Sequence, residues 1–173
     1  GGRGRGERGR VRCARDALAA GGDSRGAHFS VSPPPVPEPS ETPSVSIIGT
    51  GKRTGKTAVS GYVSRELSGI FARKGKKDGV VVVAMGRGGP PDPEVITGSE
   101  RRIGATELLS YSRQGKHAAS DYFEDAVLSE VTTVGCRRCG GGLAGAPFVS
   151  TVVERAAVAE TLPAARVIFE GSG

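Results

Sequence analysis

The stretch GTGKRTGKT at residues 49–57 follows the apolar run VSII and precedes a segment with helical periodicity. A glycine-rich turn ending in Gly-Lys-Thr between a strand and a helix constrains this chain more than any other feature. Backbone N–H groups of such a turn, with the helix N-terminus behind them, solvate phosphate oxygens. Lys56 is placed to reach the β and γ phosphates of a nucleotide, and Thr57 to hold Mg2+. The expected nucleotide-binding set is Gly49, Thr50, Gly51, Arg53, Thr54, Gly55, Lys56 and Thr57. The usual pattern has glycine five residues before Gly55. Here Thr50 stands at that position and the glycine is Gly49. The competing reading is a glycine-rich turn with a chance Gly-Lys-Thr.

The rest of the chain alternates between two periodicities. VSIIGT is expected as a first buried strand. KTAVSGYVSRELSGIFARKG reads as a helix, with Val59, Val63, Leu67, Ile70 and Phe71 at helical spacing and Gly75 at the C-cap. GVVVVAM at 79–85 is a second strand, apolar on both faces as in a parallel sheet. GRGGPPDPE is a long loop at its C-terminal end. ATELLSYSRQG and SDYFEDAVLSE read as helices, the second with Ser120 as N-cap. VTTVG is a short strand, GCRRCGGGLAG a loop, PFVSTVVERAAVAETL a helix and ARVIFEG a strand. The class is therefore α/β, a P-loop-type three-layer fold with a mostly parallel sheet. The chain starts at Gly1 and stops at Gly173 just after a strand signal. That predicts a fragment whose sheet is truncated at its C-terminus.

Residues 1–43 differ in composition, opening on GGRGRGERGRVR and closing on SPPPVPEPSETP. Few apolar residues repay ordering there, so a disordered tail is expected, with ARDALAA as a short helix within it. The partial nucleotide-binding domain is expected at 44–173. A net charge of +6 favours acidic partners: nucleic acid, anionic lipid or phosphorylated metabolites. The Arg-Gly start suits RNA, but the absence of tryptophan and the scarcity of aromatics weigh against base stacking. The longest apolar run, VVVVAM, is too short for a bilayer, and no secretory signal is visible, so the default setting is the cytoplasm. Cys13, Cys136 and Cys139 suggest no disulfide framework, and the pair in CRRC is half a zinc site. Arginines between those cysteines and glycines after them suit anion binding better than redox chemistry.

The order Gly-Thr, four residues, Gly-Lys-Thr resembles the loop of dethiobiotin synthetase and its relatives. Those enzymes also carry Val-Glu-Gly and small residues at a later strand end, and IFEGSG is similar. The blocks IIGTGKRTGKTAVSGYV, VVVVAMGRGGPPDPEVI, GKHAASDYFEDA and VGCRRCGGGLAG together resemble the cyclic 2,3-diphosphoglycerate synthetase family. The resemblance covers roughly residues 45–173 and not the N-terminal tail. It implies an ATP-dependent ligase that closes 2,3-diphosphoglycerate into a cyclic phosphoanhydride, with ATP and Mg2+ as cofactors. Family members are longer, so this chain alone is expected to be inactive. Another P-loop kinase or ligase of small molecules, or a nucleotide-dependent switch, remains the alternative.

The residues fit that chemistry when taken singly. A substrate with two phosphates and a carboxylate needs a site dense in cations and N–H donors. Arg87, Arg137 and Arg138 are expected in glycine-rich loops, where backbone comes close to a ligand. Arg87 follows the second strand, at the edge where α/β sheets bind ligands. Lys52 and Arg53 lie inside the phosphate loop, so Lys56, Lys52 and Arg87 are expected to carry catalysis. Thr57, Asp121 and Glu170 are the expected metal set. The other readings are helix capping for Asp121 and a solvated strand-end charge for Glu170. His117 is expected near phosphate, though a lone histidine at a helix start is more often structural. Asp92 and Glu94 are expected to brace the proline-rich loop.

Overall fold

The structure, a computed structural model, describes residues 13, 16–17, 20–25, 30–31, 40–49, 54–86, 89–98, 103–116, 121–140 and 147–171. The chain divides into two compact units, one of residues 1–38 with 139–149, the other of 39–138 with 150–173. In the smaller unit two short strands, Ser24–Arg25 and Ser30–Val31, pair antiparallel.

The larger unit carries the α/β pattern. In chain order it holds β1 (Ser44–Ile47), α1 (Lys56–Arg73), β2 (Val80–Gly86), β3 (Glu94–Ile96), α2 (Ala105–Arg113) and α3 (Asp121–Ser129). These are followed by β4 (Thr132–Gly140), which belongs to this unit as far as Arg138, α4 (Val152–Glu160) and β5 (Arg166–Gly171). The sheet path is β1-β5-β2-β4-β3. The first four strands run parallel, and β3 is antiparallel to β4.

The run of valines in β2 explains the layering. Successive side chains of a strand point to opposite faces. Val80, Val82 and Ala84 pack with Tyr122, Phe123 and Ile168, against Val63, Leu67 and Phe71 of α1 and Leu108 and Tyr111 of α2. Val81 and Val83 pack on the other face with Val134, Val167 and Ala159, against Val152 and Val158 of α4. Helices thus cover both faces, and the three-layer mostly parallel sheet is as expected.

α1 ends as its sequence requires. Gly75 has φ +77°, and the Lys76 N–H donates to Phe71 O at 2.9 Å, closing a left-handed C-terminal turn. Its buried stripe differs from the expected one. Val59 and Ile70 are exposed, while Ser60, Gly61 and Ser64 are buried. A Cβ on Gly61 would lie 3.2 Å from the Leu128 Cβ, so small residues set how closely α3 approaches.

Other expectations need correction. β1 is not a buried strand: it forms the sheet edge, and only Ile47 is half-buried. GCRRCG is not a loop, because β4 continues to Gly140, with Met85 registered on Cys136 and Gly86 on Arg137. β2 offers parallel partners as far as Arg137, and the strand Pro147–Ser150 also pairs with β4, and this pairing outweighs the glycine signal. Glu94–Ile96 leaves the proline-rich segment as a strand, and Pro147–Ser150 is a strand rather than the first turn of α4.

Candidate functional site

The phosphate loop meets α1 at Gly55, which has φ +85° and is the N-cap of the helix. No side chain caps this terminus and no acid lies in its first turn. The first N–H groups of a helix lack intrahelical acceptors and attract anions. Gly49 explains the shifted glycine of the motif. A Cβ there would lie 2.5 Å from Thr54 Oγ1 and 2.9 Å from Lys56 Cδ, so only glycine lets the chain pass under Lys56. Thr50, Gly51, Lys52 and Arg53 lie outside the described residues.

Three elements bring hydroxyl and carboxylates together beside this loop. The Thr57 hydroxyl, in the first turn of α1, donates to Glu170 Oε1 at 2.9 Å. Glu170 closes β5, the strand between β1 and β2, in register with Ile47 and Ala84, and is buried. Its second oxygen, Oε2, has no hydrogen-bond partner. Burial raises the Glu170 pKa, the Thr57 hydroxyl opposes the rise, and Asp121 adds to it. Asp121 opens α3 and lies over Gly86 at the end of β2, where a Cβ would come 2.4 Å from its Oδ2.

This donor set fits Mg2+. The cation takes hard oxygens, usually one or two carboxylates, with water and substrate phosphates filling its octahedron. Among the described residues no three His, Cys, Asp or Glu side chains form a metal cage by themselves. One hydroxyl, one buried carboxylate with a spare oxygen and a second carboxylate match the sparser Mg2+ pattern instead.

A polar seam continues inward between α1 and α3, and the sequence reading missed it. Asp125, one turn after Asp121, is fully buried, with neither carboxylate oxygen hydrogen-bonded. Ser60 and Ser64 are buried on α1, their hydroxyls also unpartnered. The Asp125 pKa is pushed up to about 8, first by burial and then by the charges of Glu170, Asp121 and Glu124. Ser60 works against the rise without reaching full hydrogen-bond geometry. The signal available in the sequence was the spacing of four in both Asp121/Asp125 and Ser60/Ser64.

The expected substrate residues divide. Arg137 is on β4 rather than in a loop, and its Nε donates to Gly89 O at 2.7 Å. Arg138 is also on β4, half-buried. Arg87 and His117 lie outside the described residues, as does Ser120. Glu94 lies on β3 rather than in the proline-rich loop, and it accepts from Lys116 Nζ and from the Tyr122 hydroxyl at 3.1 Å, tying β3 to the start of α3. Cys136 is buried and its thiol is pushed up to about 12, mainly by burial, so it remains protonated at neutral pH.

Comparison with known proteins decides the family. The family model for the P-loop domain of cyclic 2,3-diphosphoglycerate synthetase matches residues 44–173. The chain belongs to the cyclic 2,3-diphosphoglycerate synthetase family. Proteins of that name from Rubrobacter xylanophilus, Thermococcus kodakarensis and Methanothermus fervidus are 52%, 51% and 46% identical to it. Those alignments cover 97%, 95% and 95% of this chain, but only 37%, 36% and 34% of the relatives. The chain thus spans a little over a third of the length of the synthetases it matches. Coverage this wide takes in most of residues 1–43, so the similarity extends into the N-terminal segment, contrary to expectation. Among the described residues no helix is long and apolar enough to cross a membrane.

Proposed function

We propose that the protein carrying this chain closes 2,3-diphosphoglycerate into its cyclic phosphoanhydride, consuming ATP and releasing ADP and phosphate in the cytoplasm. The observation that carries this reading is the pairing of Thr57 with buried Glu170 beside the Gly55-Lys56-Thr57 terminus, within this family. A phosphate oxygen of the substrate attacks the γ-phosphorus of ATP, and ADP leaves. The neighbouring phosphate then attacks the phosphorus of the first, the bond to the transferred group breaks, and orthophosphate departs.

The residues contribute positioning and charge more than covalent chemistry. The first-turn N–H groups of α1, with Gly49, Thr50, Gly51, Arg53, Thr54 and Gly55, hold the phosphate chain. Lys56 neutralises charge on the transferring group, with Lys52 and Arg87 assisting. Arg138 and His117 are assigned to binding the phosphorylated acid. Thr57, Glu170 and Asp121 are the groups that would hold Mg2+, which when bound neutralises charge on the β and γ oxygens.

The test is stoichiometry. With ATP, Mg2+ and 2,3-diphosphoglycerate, phosphorus NMR should show one cyclic product, one ADP and one phosphate per turnover. ATP turnover that ignores the acid, or a phosphorylated product without ring closure, would overturn this reading in favour of a switch or a simple kinase.

A further inference from the structure

Two guanidiniums reach the backbone of the loop that follows β2. Arg137 Nε, from β4, donates to Gly89 O at 2.7 Å, and Arg155 Nη2, from α4, donates to Pro91 O at 2.8 Å. Arg155 is only 5% exposed, and its Nε has no partner. Among the described residues neither guanidinium meets a carboxylate. Taking a cation out of water without an opposite charge is costly. A chain that only needed to fill this space would do so with an apolar side chain.

The loop is held closely on its other side as well. A Cβ on Gly89 would lie 1.7 Å from Cys136 O, so the loop backbone rests directly on β4. The Gly89 N–H donates to Gly86 O at 3.2 Å. Arg137 is itself fixed through its main chain: its N–H donates to Thr151 Oγ1 at 3.0 Å, and its carbonyl accepts from the Thr151 N–H at 3.0 Å. The end of β4, the start of α4 and residues 89–91 are therefore bound into one block. Its fixed points lie two to four positions after Arg87 in the sequence, at the strand end where α/β sheets bind ligands.

We propose that Arg137 and Arg155 are positioning residues for the phosphorylated acid. They clamp the carbonyls of the loop after β2 and act on the substrate through that loop. Arginine suits the task because its planar fork directs donors in fixed directions, which a lysine ammonium does not. The role in turnover rests on the function proposed above, whereas the clamp itself does not.

The experiment therefore has two readouts. In the protein carrying this chain, Arg155→Met and Arg137→Met should lower kcat about 10- to 100-fold, the range for reacting groups displaced by about an ångström. The Kd for ATP, measured by calorimetry, should stay within about twofold, and the lysine variants should recover part of the loss. A folded variant with the parent kcat overturns the proposal. So does a rise in KM for 2,3-diphosphoglycerate at unchanged kcat, which would mark a direct phosphate contact. Amide exchange at Gly89 reads the clamp without substrate. It should quicken about tenfold in either methionine variant while Val82 is unchanged, and an unchanged Gly89 rate overturns the clamp whatever the reaction proves to be. If buried Arg155→Met fails to fold, Arg137→Met at the half-buried strand end carries both measurements.

Discussion

Thr57 and Glu170 are 113 positions apart in sequence, yet the Thr57 hydroxyl donates to Glu170 Oε1 at 2.9 Å. The contact joins the first turn of the phosphate-loop helix to the end of β5, because β5 lies directly beside β1 in the sheet. It uses one oxygen of Glu170 and leaves the other buried without a partner. Glu170→Gln keeps an acceptor for Thr57 and removes the charge. The expected result is at least about tenfold weaker Mn2+ binding, read by electron paramagnetic resonance without turnover. Parent-like binding would remove Glu170 from the metal shell.

Lys56 is half-buried at the terminus of α1, away from both apolar clusters. On the proposed function, Lys56→Ala should lower ATP turnover by about 100-fold or more, since the lysine charge is assigned to the transferring phosphate. The unfolding midpoint should remain within a few degrees. A folded variant with normal ring closure would remove Lys56 from the chemistry.

Two glycines separate site effects from packing effects. A methyl on Gly86 collides with the Asp121 carboxylate, while one on Gly135 collides with the Tyr122 ring and Pro90 Cδ, at 2.8 and 2.9 Å. The half-buried carboxylate can swing away, whereas the ring is locked in the core. Gly86→Ala should weaken metal binding about tenfold at little cost in stability. Gly135→Ala should cost about 1–3 kcal/mol with metal binding retained. Equal effects on both properties would show that Asp121 does not belong to the site.

Asp125 makes stability depend on pH. Its folded pKa, about 8, lies above the ordinary aspartate value of 3.8. Between those values the folded state holds more protons than the unfolded state. Stability from this group is complete below about pH 3.8, declines as pH rises, and levels off above about pH 8. The slope approaches 1.4 kcal/mol per pH unit at most, roughly the value for one proton. Glu170, also raised, acts in the same direction. Asp125→Asn should flatten the midpoint-versus-pH curve between pH 5 and 8.5 and stabilise the protein at the alkaline end. A curve parallel to the parent's would mean that Asp125 ionises freely in the fold.

The phosphate loop, the doubly apolar β2 and the strand-helix alternation were legible because each is a local pattern. Glu170 was legible through its place after an apolar run. The edge position of β1 was not, since VSII reads the same in a central strand as in an outer one, and only partners far along the chain decide which it is. Arg137 and Arg138 read as loop residues because glycines flank them; registry of Arg137 with Gly86 of β2 carries β4 past Cys136, and Arg138 follows within the same strand. Arg155 gave no signal at all, since an arginine on an amphipathic helix ordinarily faces solvent, and its burial depends on a carbonyl 64 positions away. Asp125 was hidden for a similar reason: the seam exists only where α1 and α3 meet.

The edge strand carries the last prediction. Among the described residues β1 pairs only with β5, so its other side offers unpaired N–H and C=O groups. Val45 is 45% exposed, and Ile48, just after the strand, is 85% exposed. A parallel edge with apolar side chains is a template for further strands, and natural edges are usually blunted by charge or cover. The chain should therefore associate as its concentration rises, by pairing along β1. Val45→Lys places a charge on that edge without touching either core cluster, so it should suppress association and leave the thermal midpoint nearly unchanged. Light scattering across a concentration series reads the first effect and calorimetry the second. A parent chain that stays monomeric over the series and unfolds cooperatively would show that β1 is a finished edge.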